Sequence, residues 1–223
     1  MLIIYKCSVS NVRELKKQRC NLKRLFNKCI CHNDKPSFDT LTKLYALLYS
    51  SFAETCFLKM LHTPYGFSDE LINQVLSQRN LEQQRIKCLE LAFQGIDSEA
   101  NKRDIQNKKQ ILTKHIQTYI IQPSEIRNKI AHGQWKVALN SKNSNKNDET
   151  TGKIADLDFV KIDILFELYE KTAQVLEDLI ESPQKTHFRD FYLHITKLEE
   201  LIEKTKEWTF ESKIKKIRGK KEK

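Results

Sequence analysis

The sequence predicts an all-α fold: a helical bundle with a small β-hairpin insertion and a basic C-terminal tail. Only five glycines and four prolines occur in 223 residues, too few for the many tight turns of a sandwich or barrel. Leu, Lys, Glu, Gln and Ile abound, all but the last strong helix formers. Apolar residues also recur at spacings of three and four over long stretches, the period of helices with one buried face. At this length, with 39% hydrophobic residues, a single helical domain over 1–212 is the economical reading.

A first helix is expected from about Val9 to Cys31, where Leu15, Leu22, Leu25, Phe26 and Cys29 make an apolar stripe beside a strongly basic face. His32-Asn33-Asp34-Lys35-Pro36 ends it. Ser37 then offers an oxygen to cap a second helix, in which Leu41, Leu44, Tyr45, Leu48, Phe52 and Cys56 recur with helical period. This second helix is the most hydrophobic and should be central to the core. Thr63-Pro64-Tyr65-Gly66 breaks the pattern, and Ser68-Asp69-Glu70 opens a short helix with acids at its positive end.

Leu81 to about Ile121 reads as two helical segments, kinked or separated at Gln94-Gly95-Ile96-Asp97. The second is polar on most faces from Asn101 to Lys114, so it either stands out from the body or meets a polar partner. Gln122-Pro123-Ser124-Glu125 is a start signal for a helix over about 123–133 that Gly133 ends, because Pro tolerates the first turn, Ser caps and Glu favours the dipole. Trp135 to Leu139 and Lys153 to Ala155 are β-prone runs around the polar stretch Asn140 to Thr150, read as a small hairpin over 135–155 with a mobile tip. Asp156 to Glu181 forms another strong helix closed by Ser182-Pro183, and a last helix runs from His187 to about Trp208. Residues 213–223 remain as a basic flexible tail.

The helix over 123–133 carries the chain's best functional clue, because Arg127, Asn128 and His132 fall within six residues. A guanidinium can grip a phosphate through two parallel hydrogen bonds, and an imidazole moves protons near neutral pH. On an ideal helix Asn128 and His132 share a face, Ile126 and Ile130 share the neighbouring one, and Arg127 points about 140° away from His132. One straight helix therefore does not set Arg127 and His132 comfortably on one phosphodiester, which favours a site built from two chains. A plainer arrangement fits the same residues: His132 against the helix C-terminus and Arg127 as a solvated or paired surface cation. Glu54, among Phe52, Ala53, Cys56, Phe57 and Leu58, is a candidate to pair with Arg127, or else a lone carboxylate on a solvent-facing side. Lys129 is a further accessory candidate.

The run Ser124 to Gly133, with Arg and His five apart, a polar residue after the Arg, small Ala131 before the His and Gly133 after it, resembles the Arg-x4-His signature of the HEPN superfamily. The flanking helices of residues 37 to 183 are similar more loosely. This resemblance implies an all-α HEPN-type bundle and a metal-independent ribonuclease. It implies that Arg127, Asn128 and His132 form the site, and that a homodimer brings two copies of it together. It further implies a toxin or anti-phage defence effector held in check by an antitoxin or other regulatory protein, or, where such a site is idle, a non-catalytic dimer that binds RNA or protein.

Charge and cysteine usage bear on partners. The formal charge is +10. Residues 213–223 carry seven basic groups against Glu222, and residues 6–28 carry eight against Glu14, whereas 148–181 hold ten acidic groups against three basic. Such polarity fits attraction to nucleic acid, although a Lys-rich tail can also be merely solubilising. Cys7, Cys20, Cys29, Cys31, Cys56 and Cys88 form no pair of CxxC units and suggest a reducing compartment. Cys29-Ile30-Cys31-His32 has no second ligand group at zinc spacing, so no metal is expected, and no cofactor. The opening Met-Leu-Ile-Ile-Tyr is too short for a signal segment and no apolar run spans a bilayer, so a cytoplasmic protein without membrane contact is expected.

Overall fold

The computed structural model describes residues 2–96 and 102–219. They are helical almost throughout, and no strand occurs among them. α1 (Leu2–His32) and α2 (Lys35–Leu61) form a long antiparallel hairpin. α1 begins earlier than the apolar stripe suggested, because buried Ser8 and partly buried Val12 extend its contact along α2. In the turn Asn33 takes φ 54°, a left-handed conformation that Asn tolerates. The cap of α2 is Asp34, whose side chain accepts from Ser37 N at 3.1 Å, rather than Ser37 itself. Pro36 explains the shift: it suits the first turn, so the helix starts ahead of it and Ser37 supplies an amide.

α2 is central, as its pattern predicts. α8 (Phe159–Glu181) packs along it, and α1 closes a seam of rings. Phe26 of α1 stacks on Phe159 at 4.2 Å between centroids and meets Tyr45 edge-on at 5.4 Å. Phe166 lies 5.1 to 5.2 Å from Tyr45, Tyr49 and Phe52. Phe26, Tyr45, Phe52 and Phe166 are fully enclosed, each contributing about 1.5–3 kcal/mol from burial alone. Arg19 of α1 enters this seam, bonding Asp163 at 2.6 Å and Glu167 at 2.6 Å while Tyr45 donates to Asp163 at 2.7 Å. A buried arginine is tolerable there because it is paired and hydrogen-bonded.

α3 (Asp69–Leu76) and α4 (Leu81–Gln94) cover one end, with Ser68 capping α3 as expected. Asp97, at the expected break, lies outside the described residues. α5 (Lys102–Ile116) is the polar helix, and it meets a polar partner. Its buried Lys108 donates to the His187 carbonyl at 2.6 Å and pairs with Asp104 at 2.8 Å. His187 is buried as well, and its burial together with Lys108 holds its imidazole below the usual range. His187 belongs to a π-helical turn, Thr186–Asp190, that follows α9 (Pro183–Lys185) and leads into α10 (Phe191–Thr205).

Two expectations near the chain's later half are corrected. The hairpin over 135–155 does not form. Its remnant is one isolated antiparallel bridge, Leu139 to Lys146, and 148–155 is instead α7 (Asp148–Ala155). Asn147 caps α7, and Asp148 and Glu149 sit at its positive end. Backbone groups that a ladder would need are taken by side chains: Ala138 N donates to Thr151 Oγ1 at 3.0 Å and Leu139 N to Gln134 Oε1 at 2.8 Å. The tail over 213–223 is likewise not simply flexible, since its first part belongs to α11 (Phe210–Arg218). Thr209 and Ser212 form a reciprocal cap, and Phe210 packs on Phe38 at 4.9 Å between centroids. Residues 220–223 lie outside the described residues.

Candidate functional site

The motif lies on α6 (Gln122–Ala131), which continues from α5 through a π-helical turn, Gln117–Ile121. The start signal at Gln122-Pro123-Ser124 is therefore not a helix start: Ser124 Oγ donates backwards to Ile121 O at 2.7 Å and caps nothing. Pro123 has no N–H to give Tyr119 O one turn earlier, and the chain bulges there instead of stopping. Tyr49 of α2 donates its hydroxyl to that Tyr119 carbonyl. A side chain from another helix thus supplies the donor that proline lacks.

Ile130 is buried and Ile126 partly so, anchoring α6 on α2 as their shared face predicts. Gly133 ends the helix with φ 79°, where any Cβ is strained, and donates to Ile130 O at 3.0 Å while Gln134 N reaches Lys129 O at 2.9 Å. Trp135 folds its indole N–H onto Ile130 O at 2.9 Å. These bonds fix the last turn and leave His132 exposed at its corner.

Asn128 and His132 line one open groove of about 1100 Å³, together with Glu125, Lys129, Gln134 and the loop 139–150. His132 and Asn128 are both exposed, and neither side chain has a hydrogen-bond partner among the described residues. Lys129 also lines the groove, but its ammonium is spent on Leu139 O at 2.6 Å. It holds the loop against the helix rather than offering a free charge.

Arg127 faces elsewhere. Its guanidinium lies 3.8 Å from Glu54 on α2, one of the two arrangements the sequence left open for that carboxylate, and its buried Nε has no partner among the described residues. Glu54 is shared, standing 3.4 Å from Arg85 of α4. Arg85 is only 2% exposed, lies over the Phe57 ring at 3.4 Å, and leaves Nε and one terminal nitrogen unpartnered among the described residues. One carboxylate thus compensates two guanidiniums, with donor capacity to spare.

The structure accordingly brings Asn128 and His132 together and separates both from Arg127 and Glu54 within one chain. Arg85 is the participant that sequence reading missed. Its signal was present, since Arg85 falls on the apolar stripe of Leu81, Cys88, Leu89 and Ala92, a place where a cation needs a partner. All six cysteines are free. Among the described residues no group of His, Cys, Asp and Glu is placed to hold a metal, and no helix is long and apolar enough to cross a membrane. Comparison of the chain with family models, curated proteins and solved structures finds no match.

Proposed function

We propose that the chain is a HEPN-type endoribonuclease that cleaves single-stranded RNA by attack of a 2′-hydroxyl on its own phosphodiester. The observation that carries this reading is the pair Asn128 and His132, solvent-accessible and unbonded, lining one open groove of about 1100 Å³ at a fixed helix end. A catalytic imidazole needs that freedom, whereas a structural one is normally tied down.

In the reaction the 2′-oxygen forms a bond to phosphorus, the bond to the 5′-oxygen breaks, and the products are a 2′,3′-cyclic phosphate and a 5′-hydroxyl. Neutral His132 accepts the 2′-hydroxyl proton. A second copy of His132, protonated, donates to the departing 5′-oxygen. Asn128 orients the phosphate or the imidazole, and Arg127 stabilises the charge that develops on the phosphorane oxygens. No step requires a metal or a cofactor. Because Arg127 and His132 lie on different sides of α6 in one chain, the complete site belongs to a homodimer in which both chains present the motif to one phosphodiester. Glu54 then acts as a positioning residue that holds Arg127 until a phosphate competes for it.

An enzyme of this kind endangers the RNA of its own cell, so the reading includes a toxin or anti-phage effector acting in the cytoplasm under an antitoxin or regulatory protein. The alternative is a dimer that binds RNA or protein without cutting it, and the ion pair that ties Arg127 to Glu54 favours that second reading. Labelled single-stranded RNA incubated in EDTA with the native protein and with His132→Ala decides between them. Cleavage by the native protein alone supports the enzyme, and silence from both supports the binding module.

A further inference from the structure

The two most basic segments of the sequence meet in space. α11 packs against α1 and α8, bringing Lys213 and Lys216 to the side of α1 that carries Lys23. Between the three helices is a pocket of about 230 Å³ with Phe159, Val160 and Asp163 at its apolar and acidic lining and Thr209 and Ser212 beside the lysines. Trp208 completes it. This indole is 42% exposed, and its N–H has no acceptor among the described residues.

The only carboxylate lining this pocket among the described residues is already neutralised. Asp163 is held by Arg19 at 2.6 Å, by Lys23 at 2.6 Å and by the Tyr45 hydroxyl, while Lys216 of α11 stands exposed at the rim of the pocket. Phe210 and Ile214 meanwhile turn to a separate hollow against Phe38, and this anchors α11 with its lysine face outward. The sequence continues past this helix with Lys220, Lys221 and Lys223.

We propose that this pocket is a second RNA site, distinct from the His132 groove, in which one unpaired base stacks on Trp208 while Lys216 takes a flanking phosphate. A flat, half-exposed indole amid lysines is the arrangement that binds single strands without regard to sequence: every base has a stacking face, and cations follow the backbone. A duplex keeps its bases stacked inside and offers Trp208 nothing. The site would hold a long substrate while another stretch of the same strand lies in the His132 groove. It rests on the ribonuclease reading only for the choice of RNA as the strand.

Trp135→Phe leaves Trp208 as the sole tryptophan and makes its emission a direct reporter. In a His132→Ala background, which keeps the strand whole if the enzyme reading holds, a 20-nucleotide unstructured RNA should quench that emission, whereas polyphosphate and an RNA duplex should not. Trp208→Ala should weaken single-strand binding by roughly 5- to 100-fold, the range expected for one stacked base. Lys216→Gln should lower the slope of log affinity against log salt by about 1. Lys216 is exposed, so its variant tests the site even if Trp208→Ala unfolds.

Quenching by polyphosphate equal to that by RNA would overturn the stacking role, as would affinity unchanged in Trp208→Ala. An unaltered salt slope would overturn the phosphate role. The two proposals fail separately. RNA that quenches Trp208 but is never cut by the native protein would defeat the nuclease and leave this site standing, and RNA cut normally without quenching would do the reverse.

Discussion

Tyr49→Phe tests how the motif helix is held in line. The substitution removes one hydroxyl and no ring volume, so the aromatic seam with Phe166 and Tyr169 is kept. What is lost is the donor to Tyr119 O, whose own helical donor would have been the residue at Pro123. An unmet carbonyl in a partly buried setting costs about 1–2 kcal/mol. For a domain of this size that lowers Tm by roughly 2–8 °C. Thermal unfolding followed by circular dichroism measures it. The decisive comparison repeats Tyr49→Phe in a Pro123→Ala background, where the introduced alanine can donate its N–H to Tyr119 O and the hydroxyl becomes redundant. Tyr49→Phe should then cost less than half as much. An equal cost in both backgrounds, or none in either, would refute the claim that Tyr49 replaces the missing proline donor.

Three further outcomes follow from the same structure. Gly133→Ala meets no neighbour, since nothing lies within 4 Å of the added Cβ, so its cost is the left-handed backbone alone, about 1–2 kcal/mol by chemical denaturation, with Gly133→Asn costing less. Burial would raise the Asp163 pKa, but Arg19, Lys23 and Tyr45 outweigh it and hold the carboxyl below the usual carboxylate range. Its contribution to stability is therefore complete above about pH 4 and disappears as pH falls through the depressed value. Asp163→Asn should cost about 3 kcal/mol at pH 7, and the gap in Tm between it and the native protein should narrow as the solution is acidified below about pH 4. Exposed His132→Ala should change stability by less than about 0.5 kcal/mol, separating loss of activity from loss of fold in equilibrium unfolding.

Periodicity made the frame legible. Leu41, Tyr45, Phe52 and Cys56 placed α2 at the centre, Ser68 marked the start of α3, and Ile126 with Ile130 identified the anchored face of the motif helix. Each of these is local information: a spacing or a cap. The misreadings arose where a distant side chain decided the outcome. Gln122-Pro123-Ser124 looks like a helix start until Tyr49 supplies a donor from another helix. The β-prone run from Trp135 is kept from pairing by Gln134 and Thr151, while Asn147 turns the far side of the loop into a helix cap. Residues 213–218 look like a solvated charge run, yet Phe210 and Ile214 sit one turn apart and dock the helix beside Phe38.

At the site the sequence showed which groups were present and, through the offset of about 140°, that one chain would not gather them. It also suggested the Glu54–Arg127 pair. The share that Arg85 takes in Glu54, and the diversion of Lys129 to Leu139 O, depend on how α4 and the 139–150 loop pack, which no local pattern encodes.

The central claim is that the 2′-hydroxyl of the substrate is the nucleophile, and the ends of the products test it most directly. A labelled RNA cut in EDTA by the native protein should carry a 2′,3′-cyclic phosphate and a 5′-hydroxyl, and the same strand with 2′-O-methyl groups throughout should remain whole. Products with a 5′-phosphate and a 3′-hydroxyl, or cleavage of the methylated strand, would contradict it.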